Sequence, residues 1–190
     1  VALELGLVLQ IRGRASDARR VLAPLVNVVG AGTPQSLLRA ARAARALGQT
    51  RNANALFREA VAAAKDDPDA NTAWGELFLE KHNRAEAATS FRAALARDAN
   101  WAPAHAGMAR ALSEDDPTAA AAAARGALAI DGSLIDAHLY LAETALDADR
   151  GAEAQAAIDR ALAVNPQHPA IHALVAAIAF VDGRKTDFDA

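Results

Sequence analysis

The chain has 190 residues, a net charge of −3 at neutral pH and a sequence pI near 5.9, with three lysines against seventeen arginines. That length can bury a sizeable core, and the acidic balance weighs against a general nucleic-acid binder, which carries a basic surplus. The absence of cysteine excludes disulfides, thiolate metal sites and a cysteine nucleophile, and no apolar run is long enough to span a bilayer.

Alanine supplies 54 of the residues and aromatics only 4%, a composition that favours helices packed closely through small side chains. No Val/Ile/Thr run of strand length stands out, so the expected class is all-α. Val1 already lies inside an apolar helical pattern and Ala190 carries no capping signal, so the chain reads as a piece of a longer protein. The lack of cysteine suits cytoplasm and periplasm alike. Abundant Ala and Arg beside scarce Lys point to a GC-rich bacterial genome.

Taken in order, residues 1–33 predict two helices divided at Gly13, with Leu5, Gly6 and Leu9 on the first face and Ala18, Leu22 and Leu25 on the second. The connection 27–34 carries one extra residue, loosened by Gly30 and Gly32. Residues 34–67 predict helices over Gln35–Leu47 and Gln49–Lys65, separated by Gly48, with Ala40, Ala41 and Ala44 facing Ala53, Phe57 and Ala60. Residues 68–101 are the clearest unit. Pro68 suits a first helical turn. Trp74, Gly75 and Phe78 mark one face and Ala87, Phe91, Ala94 and Leu95 the other, with a break at His82-Asn83-Arg84.

Residues 102–134 repeat the scheme with Met108, Ala109 and Leu112, then Ala120, Ala124, Ala127 and Leu128. Here the turn Glu114-Asp115-Asp116-Pro117 is one residue short, and the nearly all-Ala second helix should pack closely. Residues 135–168 give Leu141, Ala142 and Ala145, then Ala154, Ile158, Ala161 and Leu162. Residues 169–190 begin a sixth copy with Val175, Ala176 and Ala179. Gly183 breaks it, 185–190 set no pattern, and Phe188 falls where other copies place Ala. The later units start at Pro34, Pro68, Ala102, Ile135 and Pro169, a nearly constant period of about 34 residues. One helical hairpin cannot bury both its faces, so such a period implies stacked units.

The pattern resembles the tetratricopeptide repeat family. The residues that carry the resemblance are Gly6, Ala41, Gly75, Ala109, Ala142 and Ala176 in the first helices, with Ala18/Leu22/Leu25, Ala53/Phe57/Ala60, Ala87/Phe91/Ala94, Ala120/Ala124/Ala127 and Ala154/Ile158/Ala161 in the second. Pro166 matches the family's terminal proline, whereas Ala99 and Gly132 depart from it, as does the lack of the usual first-helix Trp. The resemblance implies a right-handed α-solenoid of about five repeats plus a partial sixth, forming a single array over 1–190, with first helices lining a concave groove.

No catalytic constellation accompanies this architecture. There is no Gly-rich phosphate loop and no GxSxG elbow, and Ser16, Ser36, Ser90, Ser113 and Ser133 have no base at a meaningful spacing. His105, His138 and His172 recur at one place in three first helices, and His168 and His172 are an i,i+4 pair. Without a nearby Glu arranged as in HExxH, these read with His82 as structural or solvated, so no metal and no cofactor is expected. The acids Asp66, Asp67 and Asp69, like Glu114, Asp115 and Asp116, sit at turns, where they favour helix N-termini.

One residue after each mid-helix small residue the chain reads Leu7, Arg42, Glu76, Arg110, Glu143 and Ala177. This alternation is either an ion-pair ladder that fixes register or a polar track for an extended peptide. Arg39, Arg42 and Arg45 make one end of the groove basic, and Leu139, Leu146, Ala173, Ala177 and Phe180 make the other apolar, either a surface that further repeats cover or a hydrophobic partner site. The expected groove residues are therefore Arg42, Arg45, Glu76, Arg110, Leu139, Glu143, Leu146 and Phe180. The expected function is a non-enzymatic scaffold for a protein or peptide partner, with no nucleic acid and no membrane insertion. A second reading makes the chain the accessory or substrate-docking region of a larger enzyme whose catalytic domain lies outside it. A third, RNA binding as in the related pentatricopeptide class, is opposed by the acidic balance.

Overall fold

A computed structural model describes residues 1–27, 32–65 and 67–181, apart from the side chains of Phe180 and Val181. The expectations placed on Gly30, Asp66, Gly183, Phe188 and the segment 185–190 lie outside the described residues, as does the side chain of Phe180. The described residues form α1 (Ala2–Ile11), α2 (Ala15–Val26), α3 (Pro34–Ala46), α4 (Thr50–Ala63), α5 (Pro68–Glu80), α6 (Arg84–Arg97), α7 (Ala102–Leu112), α8 (Pro117–Ile130), α9 (Ile135–Asp147), α10 (Gly151–Val164) and α11 (Pro169–Val181). No strand occurs among them. The expected helices over 35–47 and 49–65 shift by one or two residues at their ends.

Local chemistry explains where these helices begin. Thr33 caps α3 by accepting from the Ser36 N–H at 3.2 Å, with Pro34 directly behind it. Asp67 caps α5 through the N–H groups of Asp69 and Ala70, Asn83 caps α6, and Asp116 caps α8 by accepting from Ala119 at 2.9 Å. The acidic turns thus supply helix caps.

The hairpin turns share one geometry. Gly13 and Gly48 have φ of 71°, and at the same place in their hairpins His82 and Asp149 have φ of 56° and 55°. The next residue's N–H reaches back to the last helical turn: Gln49 to the Ala44 carbonyl, Asn83 to Phe78, and Arg150 to Ala145. This is the left-handed Schellman ending, which glycine adopts without steric cost and other residues adopt under strain. The short turn after α7 lacks that residue. Ser113 there stays right-handed helical, and the Asp116 N–H bonds to the Leu112 carbonyl.

The chain divides into two compact units, Val1–Ala99 and Asn100–Ala190. In the first, α1/α2, α3/α4 and α5/α6 are hairpins, α2 packs on α3, α4 packs on α5, and the first helices α1, α3 and α5 adjoin in turn. Each hairpin closes by fitting a large residue of the second helix against a small residue of the first. A Cβ on Gly75 would lie 2.6 Å from the Phe91 ring, and one on Gly6 would collide with Leu22. Phe57 meets Ala41 in the same way. Leu22, Phe57 and Phe91 are fully buried, so the period of small residues is a row of notches cut for them.

In the second unit α7/α8 and α9/α10 are hairpins, α8 packs on α9, and α11 packs on α9 and α10. Ile158 fills the place against Ala142. At α7/α8 both partners are small, and Ala109, Ala120 and Ala124 are completed by Tyr140 from α9. The nearly all-Ala helix therefore borrows its bulk from the next repeat.

One face differs from expectation. In α5 the large apolar residue that is buried is Leu77, not Phe78. Trp74 and Phe78 are half-buried and tilted against one another with centroids 5.4 Å apart. The Trp74 indole N–H donates to Asn54 Oδ1 at 2.8 Å, which holds that ring at the edge of the core.

Candidate functional site

In residues 1–99 the first helices α1, α3 and α5 surround a cleft of about 460 Å³ lined by Leu7, Gln10, Arg42, Arg45, Ala46, Glu76 and Glu80. Three of the expected groove residues, Arg42, Arg45 and Glu76, thus meet in one place. Their pairing is offset from the expected line. Arg42 does not meet Glu76; its Nη2 donates to Asp69 Oδ1 at 2.5 Å. Arg45 holds two acids one helical turn apart, with Nη1 on Glu76 Oε2 at 2.5 Å and Nε on Glu80 Oε1 at 2.8 Å. Long side chains lean toward the N-terminus of their own helix, so Arg45, one turn further along α3, is the residue that reaches Glu76.

Arg45 is the most covered member of this group, with 24% of its side chain exposed against 40% for Glu76 and 44% for Glu80. Burial pushes its guanidinium pKa down, but the hydrogen bonds and charges of Glu80 and Glu76 outweigh that and hold it above its ordinary value. Gln10 Nε2 donates to the Ala46 carbonyl and ties α1 to the end of α3. Leu7 is 36% exposed and presents apolar surface to the cleft. Asp69 and Glu80 are missed when one residue per helix is read. The available signal is the i,i+4 spacing of Glu76 and Glu80, which puts both carboxylates on one face.

In the second unit Arg110 lies on α7, and Leu139, Glu143 and Leu146 lie on α9. The last three share a face, since they are spaced i, i+4 and i+7. Leu139 and Leu146 are half-buried, and Leu139 packs partly against the core of α9, α10 and α11. Phe180 falls on α11. Among the described residues no ion pair joins Arg110 to Glu143. Glu143 is exposed, yet partial withdrawal from water and the charge of Asp147 hold its carboxyl above the usual range, while Arg110 pulls it partly back.

Two of the histidines act within the scaffold. His138 is buried and its Nε2 donates to the Gly132 carbonyl at 3.0 Å; His172 Nε2 donates to the Pro166 carbonyl at 2.7 Å. Both tie a first helix to the turn before it, six residues back. No group of three His, Asp or Glu able to hold a metal ion occurs among the described residues.

Residues 111–178 match the family model for the tetratricopeptide repeat. That stretch carries the tetratricopeptide repeat, and the rest of the chain resembles it in period and helix pairing. Among solved structures it is similar to a thermophilic tetratricopeptide repeat protein of Thermus thermophilus, at 22% identity over 90% of this chain and 94% of that one, with a TM-score of 0.73. A tetratricopeptide repeat protein from Parabacteroides merdae is 15% identical over 98% of this chain and 73% of the other, with a TM-score of 0.75. YrrB, a tetratricopeptide repeat protein with an unusual peptide-binding site, is 14% identical over 90% and 88%, with a TM-score of 0.57. No curated protein matches the chain. Tetratricopeptide repeats serve in general as protein-interaction scaffolds and are typically non-catalytic. No helix among the described residues is long and apolar enough to cross a membrane.

Proposed function

We propose that this tetratricopeptide chain is a non-catalytic scaffold that takes an extended protein or peptide segment against its first helices. The observation that carries the reading is the cleft over α1, α3 and α5, where charged side chains and the exposed Leu7 surround a volume of about 460 Å³. Within it the two arginines have different tasks. Arg45 commits Nε, Nη1 and Nη2 to Glu76 and Glu80 and serves as a brace between α3 and α5. Arg42 engages Asp69 through Nη2, which leaves its remaining donors for carbonyl groups of a bound segment. On the second unit Arg110 and Glu143 supply polar contacts, and Leu139 and Leu146 supply an apolar anchor to which Phe180 adds by its place on α11.

The acidic balance of the chain supports a protein partner over a nucleic acid, and single-stranded RNA at low salt is expected not to bind. No feature of the cleft favours a substrate-docking role for a larger enzyme. The test compares the chain with an Arg42→Glu/Arg110→Glu variant by pull-down from source-cell lysate, with helicity checked by circular dichroism. A partner kept by the first and lost by the folded variant is the expected result. Full retention by the folded variant would remove the groove assignment.

A further inference from the structure

Arg45 provides an internal template. Its guanidinium lies between Glu76 and Glu80 and joins α3 to α5. In the second unit, two repeats further on, Glu143 and Asp147 stand at the places of Glu76 and Glu80, and Arg110 stands at the place of Arg42. The place of Arg45 holds Ser113 in that unit. There α7 adjoins α9 as α3 adjoins α5 in the first unit. The Ser113 hydroxyl donates to the Arg110 carbonyl of its own helix at 3.0 Å and is too short to stand in for a guanidinium. The two carboxylates are therefore kept and the cation that their counterparts hold is replaced.

We infer that Glu143 and Asp147 form the seat for an arginine side chain of the bound segment, which takes the position that Arg45 occupies in the first unit. This rests on the reading of the first helices as a protein-binding surface and names the residue type they select. The template also favours arginine over lysine. Arg45 meets two carboxylates on successive turns through separate nitrogens, a contact that a planar guanidinium makes as a fork and an ammonium makes only as a point charge. Leu139 and Leu146 flank the acids on the same face of α9 and suit apolar neighbours of that arginine. Partial withdrawal from water and the charge of Asp147 raise the proton affinity of Glu143, and Arg110 offsets this only in part.

The test uses the full chain and three probes: capped acetyl-Leu-Arg-Leu-amide, its counterpart with uncharged citrulline for arginine, and guanidinium chloride. Nuclear magnetic resonance follows the α9 amides and the Glu143 carboxyl. The arginine peptide is expected to shift residues around Glu143 and lower that carboxyl's pKa, and the citrulline peptide to bind about fivefold more weakly. Ser113→Arg fills the seat from within, so it should abolish the difference between the peptides without lowering the melting temperature. Should it fail to fold, Glu143→Gln/Asp147→Asn must abolish the same difference. Equal binding of both peptides, no response of α9, or equal shifts from guanidinium ion alone would each overturn the seat. Partner retention by Arg42→Glu/Arg110→Glu then tells whether the groove reading fails with it.

Discussion

The hairpin α5/α6 and the hairpin α7/α8 carry the same repeat and close by different means. In the first, Phe91 fills the notch at Gly75 so tightly that a single added carbon would meet its ring. In the second, Ala109 faces Ala124 and the missing bulk arrives as Tyr140 from α9. The first helices show a parallel contrast. α3 and α5 are braced by Arg45 between Glu76 and Glu80, whereas α7 and α9 keep the acids and place Ser113 where the brace would stand. A repeat that supplies its own filling and its own counter-charge is committed to its scaffold. One that lacks them depends on a neighbour for its packing.

Core truncation is the strongest way to break this comparison. Phe91→Ala should cost about 3–5 kcal/mol in denaturant unfolding, because a fully buried ring leaves a cavity that Gly75 cannot fill. Tyr140→Ala should cost about 2–3 kcal/mol, and a negligible loss there would show that the α7/α8 cluster does not depend on α9. Next in size is the brace. Arg45→Met leaves Glu76 and Glu80 facing each other one turn apart and should cost about 1 kcal/mol, with most of the loss recovered in high salt. The turns give an effect of opposite sign. Gly48 suits its left-handed turn in the first unit, whereas Asp149 is strained at the same place in the second, so Asp149→Gly should stabilise by about 0.5–1 kcal/mol and Gly48→Ala should destabilise by a similar amount. A melting series that orders these two variants the other way would remove strain from the account.

The hairpins were legible because each repeats a local rule: a small residue in the first helix, a large one in the second and a turn signal between them. Gly75 with Phe91 and Ala142 with Ile158 follow directly from it. Leu77 was hidden by its neighbours. Trp74 and Phe78 are larger and dominate the apolar pattern, and only the indole bond to Asn54 explains why they sit at the edge. The groove was legible as a surface and not as a set of partners. Periodicity places Arg42 and Glu76 at one level, but the lean of side chains along their own helix hands Glu76 to Arg45 and Arg42 to Asp69. Such offsets belong to pairs of helices, and no single helix records them. The missing brace at Ser113 becomes visible only when positions two repeats apart are compared, Ser113 with Arg45 and Glu143 and Asp147 with Glu76 and Glu80.

The smallest effect isolates that missing brace most directly. Glu143 binds its proton more tightly in the folded chain than the ordinary glutamate value of 4.5 implies, because its carboxyl is partly withdrawn from water beside Asp147. For a carboxyl whose pKa rises on folding, the contribution to stability is complete below the unfolded value and is lost as pH climbs through the folded one. Wild-type stability relative to Glu143→Gln should therefore fall as pH climbs above the ordinary value of 4.5, by no more than about 0.5 kcal/mol for so exposed a group. In a Ser113→Arg background the sign should reverse. A guanidinium between Glu143 and Asp147 lowers the folded pKa, so the contribution would be present at neutral pH and lost on acidification. Denaturant midpoints for the four chains across a pH series measure both slopes. If the slope does not change sign when the arginine is supplied, the correspondence between Ser113 and Arg45 is one of register alone, and the acids of α9 are solvated rather than waiting for a cation.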